Sequence, residues 1–306
     1  MTISVVIPSH NRLDELKIAI KSVFGQTMVP NELIVVDDGS SQPLDENIFK
    51  GAPKKIQCIL LTNKTPKGGN FARNIAVKEA KSEYIAFLDD DDEFFNQKLE
   101  EVTKSIKENP DTDLFYHIAK IQMVNERLFY YSKPSYFEDK KDFFKNLLIG
   151  NFIGGTPMVI VKKQSLIEVG SFDEEMPALQ DYELWLRMAK AEMAFKFINK
   201  ALTKYNYVTE RRTVSKSFKI NETARDLIRN KFNGDYNKLN KSELVKHEEY
   251  VRNNIIHRAI LNNQRKVALK LQYKQMTSNF NLTNFFKFIS ILLGSKFIFF
   301  LKTKGF

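Results

Sequence analysis

The chain has 306 residues, 43% of them hydrophobic, long enough for one large domain or for one with a helical appendage. Its net charge of +10 is concentrated: residues 221–306 hold 16 Lys+Arg against 6 Asp+Glu, while residues 1–220 balance at 31 against 31. The single cysteine, Cys58, lies in the apolar run Ile56–Leu61, which excludes a disulfide or zinc framework and reads as a buried structural thiol.

Met1-Thr-Ile-Ser leads straight into an apolar stretch, without the basic start and long apolar core of a secretion signal, so a cytoplasmic location is expected. Ile3–Pro8 reads as a strand and Leu13–Phe24 as a helix, with Leu13, Leu16, Ile20 and Val23 as its apolar positions. Glu32–Asp37 is a second strand, continuously apolar as in a parallel sheet covered on both faces, and it ends in the turn Asp37-Asp-Gly-Ser-Ser41. Ile56–Leu61 is a third strand. The loop Thr65-Pro-Lys-Gly-Gly69 opens a helix from Asn70 to Ala80, and Tyr84–Leu88 is a short buried strand. A helix is expected from Glu93 to Lys107, stopped by Asn109-Pro110. Beyond it, Asp113–Val124 and Glu126–Tyr131 read as strands, Lys140–Leu148 as a helix, Met158–Val161 as a strand and Lys163–Val169 as a short helix. Gln180–Arg187 starts a further helix with Asp181 in the capping position, and from Asn221 onward the pattern is polar, basic and helical.

The strand-helix alternation predicts an open α/β sheet with ligands at the carboxyl ends of the strands. Three polar turns fall at those ends and would line one crevice: Ser9–Arg12, Asp37–Ser41 and Asp89–Asp92. The last is four adjacent carboxylates, which repel one another unless something positive sits there. A hard divalent cation shared with substrate phosphates would supply that charge, and strand alternation would point Asp89 and Asp91 the same way. The competing reading is a solvated acidic turn with Asp92 capping the next helix.

Six fragments now stand in order: Val5–Arg12, Val35–Ser40, Gly68–Asn74, Phe87–Asp92, Gly170–Glu174 and Gln180–Arg187. Together they resemble the inverting glycosyltransferases of family 2, over residues 1–215. The resemblance implies a GT-A fold, an open mixed sheet with a Rossmann-like nucleotide-binding half (1–110) and an acceptor-binding half (111–220), followed by a helical basic extension (221–306). It implies a nucleotide-sugar donor, UDP-linked, held by Pro8, Ser9, Asn11, Arg12, Asp37, Asp38, Arg73, Asp89 and Asp90. By the same resemblance Asp91 binds Mn²⁺ or Mg²⁺ bridging the diphosphate, with Asp92 able to share that duty. Asp181 is the general base, and Arg211 or Arg212 would close on the diphosphate as a lid. Trp185 reads as core, and His117, His247 and His257 have no metal spacing.

Outside the resemblance, Phe285–Leu301 is strongly apolar but carries two lysines and is short for a spanning helix. With the basic tail it predicts peripheral binding to the cytoplasmic face of the inner membrane, and an acceptor that is a glycan or a lipid-linked sugar in surface-glycan assembly. The alternative is a helix packed on the catalytic part or on a second subunit. No aromatic-basic motif suggests nucleic acid, and oligomeric state is not legible. Two rival activities are a sugar nucleotidyltransferase, which would carry a glycine-rich loop after the first strand, and a non-catalytic nucleotide-sugar-binding protein.

Overall fold

A computed structural model describes residues 1–208, 218–262, 264–278, 281–294, 297–298 and 303. The strands are β1 (Ile3–Ser9), β2 (Glu32–Asp38), β3 (Gln57–Asn63), β4 (Tyr84–Phe87), β5 (Glu93–Phe94), β6 (Leu114–Met123), β7 (Leu128–Tyr131), β8 (Val159–Lys162) and β9 (Phe195–Tyr207). They form one mixed sheet in the order β3-β2-β1-β4-β8-β6-β9-β5, with β7 pairing the end of β6. Strands β1 to β4 are parallel; β8 enters antiparallel beside β4 and begins the second half of the sheet. The helices are α1 (Leu13–Phe24), α2 (Gly69–Glu79), α3 (Lys98–Glu108), α4 (Lys140–Ile149), α5 (Lys163–Glu168) and α6 (Gln180–Lys190). They are followed by α7 (Phe218–Lys231), α8 (Asn233–Tyr236), α9 (Lys241–Leu261), α10 (Arg265–Ser278) and α11 (Leu282–Leu293).

The continuous apolar runs of β1 and β2 follow from burial on both faces. Val6, Ile34 and Val36 belong to a core with α2 and α6, while Val5, Ile7, Leu33 and Val35 belong to another with α1 and α3. The first core extends through Ala224, Ile228, Phe232 and Tyr236, so α7 and α8 are packed against the sheet domain. Lys190 pairs with Asp235 at 2.7 Å and Lys231 with Glu183 at 3.0 Å across the same junction. A small separate cluster of Ile256, Ala259, Ala268 and Ile291 joins α9, α10 and α11.

Four details differ from the sequence reading. The helix expected from Glu93 starts at Lys98, because Glu93 and Phe94 pair as β5 with Lys204 and Thr203. Strand β9 was not expected. Its alternation is broken by a bulge opposite His117 and Ile118, and Leu202 and Thr203 are consecutive buried residues. Cys58 is half-buried on the edge strand β3 rather than fully buried, and burial, then Glu46, raise its pKa above that of an ordinary thiol. Asp181 is not the cap of α6: that position is Leu179, in the left-handed region at φ 56°, and Asp181 lies inside the first turn.

Candidate active site

The three polar turns do meet at the carboxyl ends of β1, β2 and β4: the second and third carry acids, and Ser9–Arg12 is bonded to both. Asp37 is fully buried, and its two oxygens accept from the backbone N–H of Ser40 (3.0 Å) and Leu44 (2.9 Å). Asp38 accepts from the N–H of Lys67 (2.9 Å) and Gly68 (2.7 Å) and from the Asn63 amide (2.8 Å), so it ties the loop before α2 to the end of β2. Gly39 completes that join. It sits at φ +70°, and a Cβ there would lie 2.5 Å from the Pro66 nitrogen, so only glycine fits. Asn11, at φ 56°, accepts from the Ser41 N–H and hydroxyl, while His10 Nδ1 lies 2.8 Å from the Asp38 carbonyl oxygen. Pro8, next to last in β1, still pairs with Val36 of β2 but lies beyond the Ile3–Val6 pairing with β4.

The acid run leaves β4 as a turn, closed by Asp92 N–H to the Asp89 carbonyl at 3.1 Å. The side chains divide by exposure, although the run lies in a turn and not in the strand whose alternation was invoked for it. Asp89 and Asp91 are 28% and 25% exposed, while Asp90 is 7% exposed. Arg12 donates to both Asp90 (2.9 Å) and Asp91 (2.7 Å), and the Ser9 hydroxyl donates to Asp90 (2.9 Å). Arg73 donates to Asp89 at 2.6 Å, with its guanidinium 5.6 Å from the Phe172 ring centroid. Asp92 is buried, accepts from the Asn206 N–H (2.8 Å), and is not a helix cap; its second oxygen has no hydrogen-bond partner. Burial, then Asp89 and Asp91, push its pKa well above the usual carboxylate range.

The remaining fragments hold one another. Asn70 and Asn74, one turn apart on α2, grip the segment after Gly170. Asn70 donates to the carbonyls of Asp173 (2.8 Å) and Met176 (3.1 Å), and Asn74 to that of Phe172 (2.8 Å). Arg73 between them is thereby aimed at Asp89. On α6, Trp185 is core and donates from Nε1 to the Gly154 carbonyl at 3.1 Å, fixing the Gly154-Gly155 loop beside Asp181. The Asp181 carboxylate accepts from the Tyr182 N–H (2.7 Å), and burial pushes its pKa up to about 6, against the pull of that N–H and of Arg73. It opens on a cavity of about 270 Å³ between the sheet domain and helices α7 and α9.

Comparison with known proteins bears on this arrangement. The model of the family described as "Glycosyl transferase family 2" matches residues 4–168, more than half of the chain. The chain belongs to glycosyltransferase family 2. An uncharacterized glycosyltransferase of Haemophilus influenzae is 32% identical over 228 residues, covering 74% of this chain and 76% of that one. The Escherichia coli WfgD protein, named as a UDP-Glc:alpha-D-GlcNAc-diphosphoundecaprenol beta-1,3-glucosyltransferase, is 31% identical over 61% of this chain and 70% of its own. Among solved structures, S. aureus TarS 1–349 in complex with UDP-GlcNAc superposes with a TM-score of 0.60 at 18% identity, covering 99% of this chain and 82% of that one. That likeness shows the fold, GT-A with a helical region after it.

In this glycosyltransferase no cluster of three or more His, Cys, Asp or Glu among the described residues is arranged to hold a metal by itself. The acid run nonetheless suits Mg²⁺ or Mn²⁺ of the kind held by one or two carboxylates and completed by substrate phosphates. Asp91 is partly exposed, and one oxygen of the buried Asp92 next to it in the chain has no hydrogen-bond partner. Arg211 and Arg212, the expected lid, lie outside the described residues.

Sequence reasoning missed the support beneath the acids. Lys98 is fully buried and donates to the Pro157 carbonyl (2.6 Å) and the Thr203 hydroxyl (3.1 Å), with its ammonium 3.6 Å from the Phe94 ring centroid. Burial lowers its pKa well below that of an ordinary lysine, and Asp92 opposes the fall. Asn206 of β9, which donates to Asp92 and to the Asp91 carbonyl (2.9 Å), was missed with its strand. Neither carries a local signal, because both act through residues 59 to 115 positions away in the chain.

Proposed function

We propose that this glycosyltransferase moves a sugar from a UDP-linked donor to a hydroxyl of a glycan or lipid-linked acceptor, with inversion at the anomeric carbon. The observation that carries the reading is Asp181: a carboxyl on a cavity floor, raised to about 6 by burial, and within electrostatic reach of Arg73 and Asp89 on the donor side. A base of that pKa is ionised at neutral pH yet strong enough to take a proton. Arg12, Arg73 and the turns at the ends of β1 and β2 hold the nucleoside diphosphate. Asp181 removes the acceptor hydroxyl's proton as that oxygen forms its bond to the anomeric carbon. The bond from that carbon to the diphosphate oxygen breaks on the opposite side, and the nucleoside diphosphate leaves with the electron pair. One displacement of this kind inverts the centre. A divalent cation held at Asp91, with Asp92 behind, would neutralise charge on the departing diphosphate.

The relatives' names support the acceptor class. WfgD's acceptor is a sugar on diphosphoundecaprenol, and an Erwinia amylovora relative, 27% identical over 68% of this chain, is named an amylovoran biosynthesis glycosyltransferase. Surface-glycan assembly at the cytoplasmic face of a membrane follows as the setting. The basic tail and the exposed Leu282, Phe286 and Leu293 of α11 support peripheral attachment there, and no helix among the described residues is long and apolar enough to cross a membrane.

The experiment is a pH–rate profile of the full chain and of Asp181→Asn. Wild-type kcat/KM should fall tenfold per pH unit below about 6. The variant should lose roughly 10²- to 10⁴-fold in turnover, the usual worth of a general base, and lack that limb. A variant with near-normal turnover would remove Asp181 from the role.

A further inference from the structure

We propose that Arg225 and Arg258 form a subsite for a phosphate or diphosphate group carried by the acceptor, beside Asp181. The proposal rests on the reading of Asp181 as the residue that faces the acceptor hydroxyl, and it names a chemical class that the reading leaves open.

The spacing of the helices builds the site. On α7, Arg225, Ile228 and Arg229 recur at three and four residues. On α9, His247, Tyr250, Asn254 and Arg258 recur at three, four and four. Each set is therefore one face, and the two faces close the cavity whose floor carries Asp181 and the Gly154-Gly155 loop. The Tyr250 ring seats α9 on the domain by packing against Gly150, where an added Cβ would come within 2.5 Å of it.

The charges in this cavity are poorly matched. Among the described residues three arginines line it, and Asp181 is the only carboxylate that does. Arg229 lies 4.6 Å from the Tyr236 ring centroid. Among the described residues, no carboxylate oxygen lies within 4 Å of Arg225 or Arg258. The Nε of Arg258 is buried with no hydrogen-bond partner. Burial lowers the pKa of both guanidiniums, and Arg225 lowers that of Arg258 further, against the pull of Glu222 and Asp226 on Arg225 and of Tyr207, Tyr250 and Asp181 on Arg258. Two partly buried like charges facing one space repel each other, a cost which an incoming anion would offset. Guanidinium forks match the oxygens of phosphate in bidentate fashion, and a tetrahedral phosphate can be shared between forks arriving from two helices.

Tyr250 and Asn254 also line the neighbouring space, an apolar groove of about 1200 Å³ between α9 and α11 that includes Ile256, Phe286 and Leu293. A phosphate seated at Arg258 would thus have sugar chemistry on one side and an apolar channel on the other. Two sources of the phosphate fit this chemistry: the head of a lipid-linked sugar, or a phosphodiester within a glycan.

Binding of inorganic phosphate and of geranyl phosphate to the full chain, with the donor side saturated by UDP, tests the proposal by calorimetry and by thermal shift. Arg225→Gln and Arg258→Gln should each weaken phosphate binding at least tenfold and abolish the phosphate-induced rise in Tm. Without phosphate their Tm should equal or exceed that of the wild type, since a repulsion has been removed; a purely structural arginine would lower it. Arg258→Lys, keeping the charge but not the fork, should retain part of the binding. Geranyl phosphate binding tenfold tighter than inorganic phosphate would support the site and assign it to a lipid head, and equal binding would support it and assign it to a glycan phosphodiester. Phosphate bound by both glutamine variants within twofold of wild type would overturn the proposal. Because the readout is binding rather than turnover, that result beside normal transfer would remove the subsite while leaving the catalytic reading in place.

Discussion

At the scale of single residues, the acid run shows how direction divides labour among identical side chains. Asp90 and Asp92 point inward, and burial raises the pKa of each, in Asp90 against Arg12 and the Ser9 hydroxyl. Asp89 and Asp91 stay partly exposed, Asp89 against Arg73 and Asp91 against the Arg12 that also holds Asp90. If Asp91 is the chief metal ligand, Asp91→Asn should abolish the gain in UDP affinity that Mn²⁺ confers, measured by calorimetry, and leave the far-UV spectrum unchanged. An Mn²⁺-dependent gain that survives the substitution, or full turnover in excess chelator, would rule it out. Asp181 carries a related cost. Its folded pKa lies above the unfolded value, so its contribution to stability is fully present below about pH 4 and is lost as pH rises through about 6. The turns Ser9–Arg12, Asp37–Ser41 and Asp89–Asp92 were legible in the sequence because they follow short apolar strands, where local pattern fixes their place, whereas Arg73 on α2 and Asp181 on α6 were assigned to the site only through the family resemblance. Arg225 and Arg258 were not legible, since nothing local says which face of a basic helix turns inward.

Elements were legible where their periodicity is unbroken. The parallel strands β1, β2 and β4 and helices α1 and α2 follow directly from their apolar pattern. β9 escaped because a bulge interrupts its alternation, and β5 escaped with it because two residues make a strand only through a partner about a hundred positions later. That junction is where Lys98 works, holding the Pro157 carbonyl and Thr203 while facing the charge of Asp92. Lys98→Met keeps the volume but deletes both hydrogen bonds. It should cost about 1–3 kcal/mol, read as a lower denaturant midpoint at unchanged m-value. An unchanged midpoint would show that the buried ammonium adds nothing to the fold.

For the whole molecule, the arithmetic of charge has a structural counterpart. The balanced sheet domain carries the polar turns at the ends of β1, β2 and β4, while in the segment that carries the entire +10 helices α7 to α9 close the cavity beside Asp181 and α10 and α11 pack on α9. Basic residues near an anionic surface contribute about 1 kcal/mol each, so attachment needs the apolar contact of α11 as well. Leu282, Phe286 and Leu293 of α11 are exposed, while Ile291 on its other face joins the small core with α9 and α10. Both sequence-level readings of this segment therefore have a face to act through. Removing residues 281–306 should release the protein from vesicles containing anionic lipid in a flotation assay, and should lower transfer to a lipid-linked acceptor more than donor hydrolysis. A truncated chain that aggregates or loses donor binding would mean that α11 serves the core and that the membrane reading is wrong.

The central claim is a single displacement driven by Asp181, and the anomeric configuration of the product tests it most directly. The full chain, supplied with a UDP-linked sugar of known anomer and an acceptor it turns over, gives a glycoside whose anomeric proton and carbon couplings report configuration by NMR. The account predicts a product of configuration opposite to the donor's. A product that keeps the donor's configuration would contradict it, because retention requires either two displacements or attack from the face of the leaving group, and neither is the in-line step assigned to Asp181.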